Sequence, residues 1–308
     1  MKKIFTQDDN ISRILDIKNQ DCDSRIKIAE REKSSSILAF LANDKSYCVR
    51  AAVAKNHNTS EEILAHLAKD VEWAVRAEVA KNPSTTKETL MDLAKNDDEY
   101  LNVKIAVAQN SKATADVLDE LAKNKEFYYK GVLLAVVKNP NTSTKTLAEL
   151  AKVSWSSIKS EIAKNQSTPD EVIIYIAKEG DQFACQEIAR RSNIHAEVAK
   201  ILAKHKSHIV RCVLADNPDT PAEVFAELAK DEYLIRYAVS KNPKTPADVL
   251  DELTKGICDY IRVNVAENPN TSIRTLEKLA QDEFYMVRET AERRLNIAIK
   301  NFEQSKNL

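Results

Sequence analysis

Glycine, proline and cysteine are all scarce in this sequence. Three Gly and eight Pro among 308 residues are too few turn-formers for a β-sandwich or a chain of long loops. Three isolated Gly also leave no Gly-rich loop to cradle a phosphate. The five Cys (Cys22, Cys48, Cys185, Cys212, Cys258) are far apart and odd in number, which argues against a disulfide framework. No apolar run approaches the roughly 20 residues of a membrane span. The start turns polar at once (Thr6, Gln7, Asp8, Asp9), unlike a secretory signal. An excess of one charge is missing too: 46 basic residues face 47 acidic ones, a balance that argues against a polyanion binder drawn in by bulk electrostatics. These absences lead us to expect a soluble, cytoplasmic, helical protein, a monomer that no membrane holds.

What the chain has is self-similarity. Leu-Ala, or a close variant, recurs at Leu41, Leu67, Leu93, Leu121, Leu150, Ile176, Leu202, Leu228, Leu253 and Leu279, in steps of 26, 26, 28, 29, 26, 26, 26, 25 and 26. Asn, often before Pro, recurs at Asn56, Asn82, Asn110, Asn139, Asn165, Asn217, Asn242 and Asn268; Arg31 and Arg191 fill the missing slots. A β-branched residue followed by a base recurs at Arg50, Arg76, Lys104, Lys159, Arg211, Arg236, Arg262 and Arg288. Three landmarks in one register indicate tandem repeats.

Each copy reads as two helices. Thr59 with Glu62 has the spacing of a capping box, as do Thr85/Glu88, Thr168/Glu171 and Thr220/Glu223. Pro169, Pro221 and Pro246 suit a first helical position. Ile63, Leu64, Leu67 and Ala68 share one face. Gly180 and Gly256 suit left-handed helix ends. Val75–Asn82 is then a second helix of about two turns, stopped by Pro83. One pair cannot bury its stripe alone, so about ten copies stack, each on its neighbours. The expected organisation is a capping helix over 1–24 (Ile11, Ile14, Leu15, Ile17), one solenoid over 25–288, and a closing helix and tail over 289–308.

The unit Val-Arg-x-x-Val-Ala-x-Asn-Pro-x-Thr-Pro/Ser-x-x-x-Leu-x-x-Leu-Ala-x-Asp resembles the variant leucine-rich repeat, a bacterial family akin to HEAT repeats. The resemblance covers nearly the whole chain. It implies an all-α, right-handed superhelix in which an α-helix alternates with a short, often 3₁₀, helix. It further implies an interaction scaffold. Some members carry an N-terminal cysteine cluster for iron–sulfur; only Cys22 lies in that region here, so no cofactor is expected.

Two rows of side chains are candidates for binding. The basic row includes Arg76, Lys104, Lys159, Arg211 and Arg236. It either meets a phosphate backbone or acidic partner, or ties copies together internally. Asp44, Asp70, Asp98 and Asp282 stand six residues before Arg50, Arg76, Lys104 and Arg288, which favours internal ties. The aromatic row runs through Tyr47, Trp73, Tyr100, Tyr129, Trp155 and Tyr233, where rings either anchor a partner or plug gaps between copies. The third and fourth steps are longer, and Tyr100, Tyr128, Tyr129, Lys130 and Trp155 cluster around the extra residues as a candidate partner site. The Asn row reads as structural, each amide bonding the next loop.

His205, His208 and Cys212 have metal-compatible spacing, but each occupies an ordinary repeat slot, so no metal is expected. Nothing resembles a nucleophile–base pair. A helical-repeat DNA glycosylase is the one enzyme class weighed, and its units are less regular than these. The reading is therefore a non-enzymatic scaffold that captures a protein or extended peptide on a concave face, with nucleic-acid binding along the two rows as the alternative.

Overall fold

The computed structural model describes residues 7–96 and 99–305. Among them are 22 α-helices, two 3₁₀ turns and no strand. The chain is an all-α solenoid of helix pairs, gathered into two compact units: Met1–Val153 with Asn165–Ser167, and Ser154–Lys164 with Thr168–Leu308. No helix among the described residues is long and apolar enough to cross a membrane.

A typical copy pairs a seven-residue helix, Glu61–Leu67, with a nine-residue one, Trp73–Lys81. Ile63, Leu64 and Leu67 are buried from the first, and Val75, Ala77, Val79 and Ala80 from the second. The second helices of the pairs stack in series: Cys22–Arg31, Tyr47–Lys55, Trp73–Lys81, Leu101–Gln109 and Lys130–Lys138 in the first unit. In the second unit, Ser156–Lys164, Gln182–Ala189, His208–Asp216, Tyr233–Lys241, Asp259–Glu267 and Tyr285–Ser305 do the same. Each fully buried Leu or Val contributes about 1.5–3 kcal/mol. The small Ala residues between them let the helices approach.

The Asn row is the hydrogen-bonded spine of each stack. Asn82 caps its helix in an extended conformation, ψ 128°, as a residue before Pro prefers. Its Nδ2 donates to Ala54 O at 2.6 Å and Asn56 O at 3.0 Å, and its Oδ1 accepts from Ser84 N at 2.8 Å. Asn56, Asn110, Asn139, Asn217, Asn242 and Asn268 repeat this pattern. The amides therefore reach back to the preceding copy rather than on to the next loop. Helix C-terminal carbonyls lack intrahelical donors, and the preceding copy presents two of them at this spot. Arg191 substitutes for Asn, donating to Ala163 O at 2.6 Å.

Four local expectations are corrected. Thr59, Thr85, Thr168 and Thr220 do not build capping boxes; each buried hydroxyl donates back to the carbonyl six residues earlier, at 2.5–2.6 Å. The N-caps are instead Ser60, Thr86, Pro169 and Pro221. Pro246 is an N-cap as well, one position earlier than predicted. Gly180 is left-handed, φ 72°, but Gly256 is not. The second helices of the pairs are α-helical, and 3₁₀ geometry is confined to Phe127–Tyr129 and Ala222–Val224 among the described residues.

At the ends, Gln7–Lys18 forms the first helix, with Ile17 buried and Ile11 and Leu15 exposed. The closing helix is continuous with the last repeat helix, Tyr285–Ser305. Residues 1–6 and 306–308, within the terminal segments named above, lie outside the described residues.

Candidate functional site

The basic row sits at the fourth position of the second helix of each pair. At a typical copy Arg50 grips Asp70 of the following copy with both edges of its fork, Nε to Oδ2 at 2.5 Å and Nη2 to Oδ1 at 2.8 Å. Its Nη1 donates to Asp44 O at 2.8 Å. The same bidentate grip joins Arg25 to Asp44, Arg76 to Glu99, Arg211 to Asp231 and Arg262 to Asp282. The expected link to the Asp six residues upstream is thereby corrected. That residue supplies a backbone carbonyl, and its carboxylate belongs to the Arg of the copy before. Arg76 instead takes Glu99, after the insertion; Asp98, expected opposite Lys104, lies outside the described residues.

The remaining candidates differ. Lys159 reaches Glu179 at 3.5 Å. Lys104 is buried and stands 5.7 Å from the centre of the Tyr129 ring. Arg288, in the last copy, donates to Asp282 O and Glu283 O. Arg236 donates to Asp231 O at 2.7 Å and, among the described residues, meets no carboxylate.

These grips set an acid limit. Burial by itself would raise the Asp44, Asp70 and Asp282 carboxyls. The Arg bonds and backbone amides outweigh it and hold all three below the usual carboxylate range. At Asp231 the Arg211 bond is the strongest influence and also lowers the value. A carboxyl that is more acidic when folded adds stability in full above the unfolded value of about 3.9. That stability is lost as pH falls through the lowered folded value. Thermal unfolding followed from pH 7 downward is therefore expected to hold its midpoint until about pH 4 and drop steeply below it. A midpoint that rises on acidification would overturn this assignment.

The aromatic row opens or precedes the same helices. Trp73 and Tyr100 of adjacent copies lie 5.8 Å apart, ring centre to centre, tilted by 30°. Tyr47, Tyr100, Tyr128 and Tyr233 are exposed, and Trp73 is about one-third exposed. The longer fourth step folds into the 3₁₀ turn Phe127–Tyr129. That turn buries Tyr129, places Tyr128 edge-on to it at 6.3 Å, and leaves Phe127 on the surface. Tyr100, Lys104, Tyr128 and Tyr129 meet in a cavity of about 440 Å³ with Glu99 and Asn124. Asn124 Nδ2 donates to Tyr128 Oη at 3.1 Å. Similar inter-copy cavities lie at Arg76 and Arg211, and here the 3₁₀ turn adds Tyr128 and Tyr129 to the lining.

Comparison with solved structures gives 17% identity over 82% of this chain and 88% of the matched one, with a TM-score of 0.48, to a leucine-rich repeat variant with a novel repetitive protein structural motif. This chain is similar to a leucine-rich repeat variant. A second likeness, to an engineered protein, has 17% identity over 86% of this chain and 98% of that one, with a TM-score of 0.15. No protein-family model and no curated protein matches. The helical-repeat architecture rests on the stacked pairs and their Asn and Arg ties.

Within these repeats, the other candidates fall elsewhere. Lys130 opens the helix after the 3₁₀ turn and does not line the cavity. Trp155 belongs to the second unit. His205 and His208 have different partners. His205 Nδ1 accepts from Ser207 N, and its Nε2 faces Gly180 O at 3.2 Å; His208 faces Glu232 at 3.9 Å. No three His, Cys, Asp or Glu side chains gather as a metal site among the described residues. Burial, and then Asp181, push the Cys185 thiol up to about 12, which makes it a poor nucleophile. Sequence reasoning missed Glu99 as the acid of its copy. The signal was an Asn, Asn96, at the usual acid position three after Leu93, with the insertion directly behind it.

Proposed function

We propose that this protein is a non-enzymatic interaction scaffold that captures a protein or extended peptide on the aromatic edge of its first unit. The observation that carries this reading is a division of labour between the two rows. The forks of Arg25, Arg50 and Arg76 are closed on internal carboxylates, while the adjacent rings of Tyr47, Trp73, Tyr100 and Tyr128 remain at the surface. Exposed aromatics give large contact area with few rotors to freeze, and a row of them suits an extended chain. Bases already neutralised in the fold contribute little to holding a polyphosphate, which disfavours the nucleic-acid alternative.

The test is a peptide-library selection on the immobilised protein, followed by titrations of the selected peptides. Trp73→Ala and Tyr100→Ala are each expected to weaken binding by about 1–3 kcal/mol, the range of aromatic hot spots. Salt is expected to matter little. Peptides indifferent to both substitutions would sink the assignment. Capture of single-stranded nucleic acid with a log–log salt slope near −0.7 per phosphate contact would establish the alternative instead.

A further inference from the structure

The Arg grips follow a rule that breaks in two ways: Arg76 finds Asn96 at the usual acid position and takes Glu99 instead, and Arg236 finds no acid at all among the described residues. The acid lies three residues after the Leu landmark: Asp44 after Leu41, Asp70 after Leu67, Asp231 after Leu228, Asp282 after Leu279. In two copies base and acid disappear together, Leu133 with Val153 and Cys185 with His205, and Lys104 faces Asn124 at the acid position and stands against the Tyr129 ring. At Leu253 the acid position holds Gly256, yet the base of the preceding copy, Arg236, is retained. Its Nη1 is anchored to Asp231 O at 2.7 Å. Nε and Nη2, the edge that elsewhere grips a carboxylate, have no acceptor among the described residues.

Arg236 lines a cavity of about 690 Å³, within the range of about 300–1,000 Å³ typical of ligand pockets. Leu253, Ile261 and Val249 form apolar wall, and Ile257 on the rim is 99% exposed. Lys230, Lys255, Asp248 and Glu252 also line it, and Lys255 is paired with Glu252 at 2.5 Å.

We propose that this cavity, in the second unit, binds the C-terminal carboxylate of a peptide ending in an aliphatic residue, the carboxylate replacing the missing acid on Arg236. A planar fork favours a carboxylate held by two parallel bonds. A chain end places an aliphatic side chain and a carboxylate on one Cα, and the cavity sets apolar wall beside a guanidinium. This site is separate from the aromatic edge of the first unit, so either assignment can fail without the other.

The test titrates acetyl-Gly-Ala-Leu into the ¹⁵N-labelled full chain and compares its amide, acetyl-Gly-Ala-Leu-NH₂, and free isovalerate. The acid is expected to shift the Gly256 and Ile257 amide signals and saturate. The amide is expected to bind about tenfold or more weakly, because a charge-assisted pair of bonds is lost. Two variants test the Arg. Arg236→Gln removes the fork. Gly256→Asp restores the internal acid; its backbone is not left-handed, and a new Cβ would meet Leu253 O at 3.4 Å, an ordinary contact. Both are expected to lower affinity for the acid about tenfold or more while keeping the dispersed spectrum of the parent. Equal binding of acid and amide, undiminished binding by Gly256→Asp, or no saturable shift overturns the proposal. Isovalerate binding as tightly as the peptide acid assigns the cavity to small free acids and overturns the peptide assignment.

Discussion

Asn82→Ala is expected to destabilise the copies around it by about 3–5 kcal/mol. The side chain is almost fully buried and makes three hydrogen bonds, two donated to carbonyls of the preceding copy and one accepted from Ser84. Alanine leaves Ala54 O and Ser84 N without partners, while Asn56 O keeps its bond from Thr59 N; each orphan costs about 1–3 kcal/mol, and partial hydration of the gap returns some of it. Asn82→Asp is expected to be at least as damaging at neutral pH, because it turns an oxygen toward two carbonyls. Repeat arrays open in pieces, so the measurement is native-state hydrogen exchange in the two flanking copies. A cost below about 1 kcal/mol for Asn82→Ala would show that the spine is dispensable. Lys244→Ala, at an exposed 3.4 Å ion pair with Asp219, serves as the contrast and is expected to cost under about 1 kcal/mol.

Arg76→Met is the second large effect, expected at about 3–5 kcal/mol, because it abandons the Glu99 carboxylate, whose side chain is 0% exposed. Losing one member of a buried pair is far costlier than losing both. Arg76→Met with Glu99→Leu is therefore expected to recover most of the loss, with a coupling energy read from the double-mutant cycle. The chain already carries such double losses at Leu133/Val153 and Cys185/His205. An Arg76→Met cost under about 1 kcal/mol, together with lost peptide capture, would instead make the base part of a binding face.

Much of the fold was legible because its signals are local. The Leu-Ala step, the Asn before Pro and the position of the base each depend on a few neighbouring residues and on helical period. They placed the pairs, the Asn caps and Arg191 in an Asn slot. What was misread involved a partner one copy away. Asp44 and Asp70 sit six before Arg50 and Arg76, and also about twenty after Arg25 and Arg50. In a periodic sequence both offsets recur equally, so spacing cannot choose between them. Thr59 was misread for a related reason. The capping-box spacing was present, but the hydroxyl is buried against Val53 O, and a buried donor takes the acceptor nearest to it. The cavity around Tyr100 and Tyr128 was only half legible: the insertions marked the place, but the 3₁₀ turn decided that Tyr129 goes inward and Tyr128 outward.

The sequence by itself determined the period, the helix pairs and the stacking of copies, because an apolar stripe repeated in register must be covered and only the next copy can cover it. The tertiary structure alone decided which carboxylate each Arg holds, which rings reach the surface, and that Arg236 has an open edge. Those outcomes depend on distances between side chains of neighbouring copies, and a bond that closes in space leaves no trace in the order of residues.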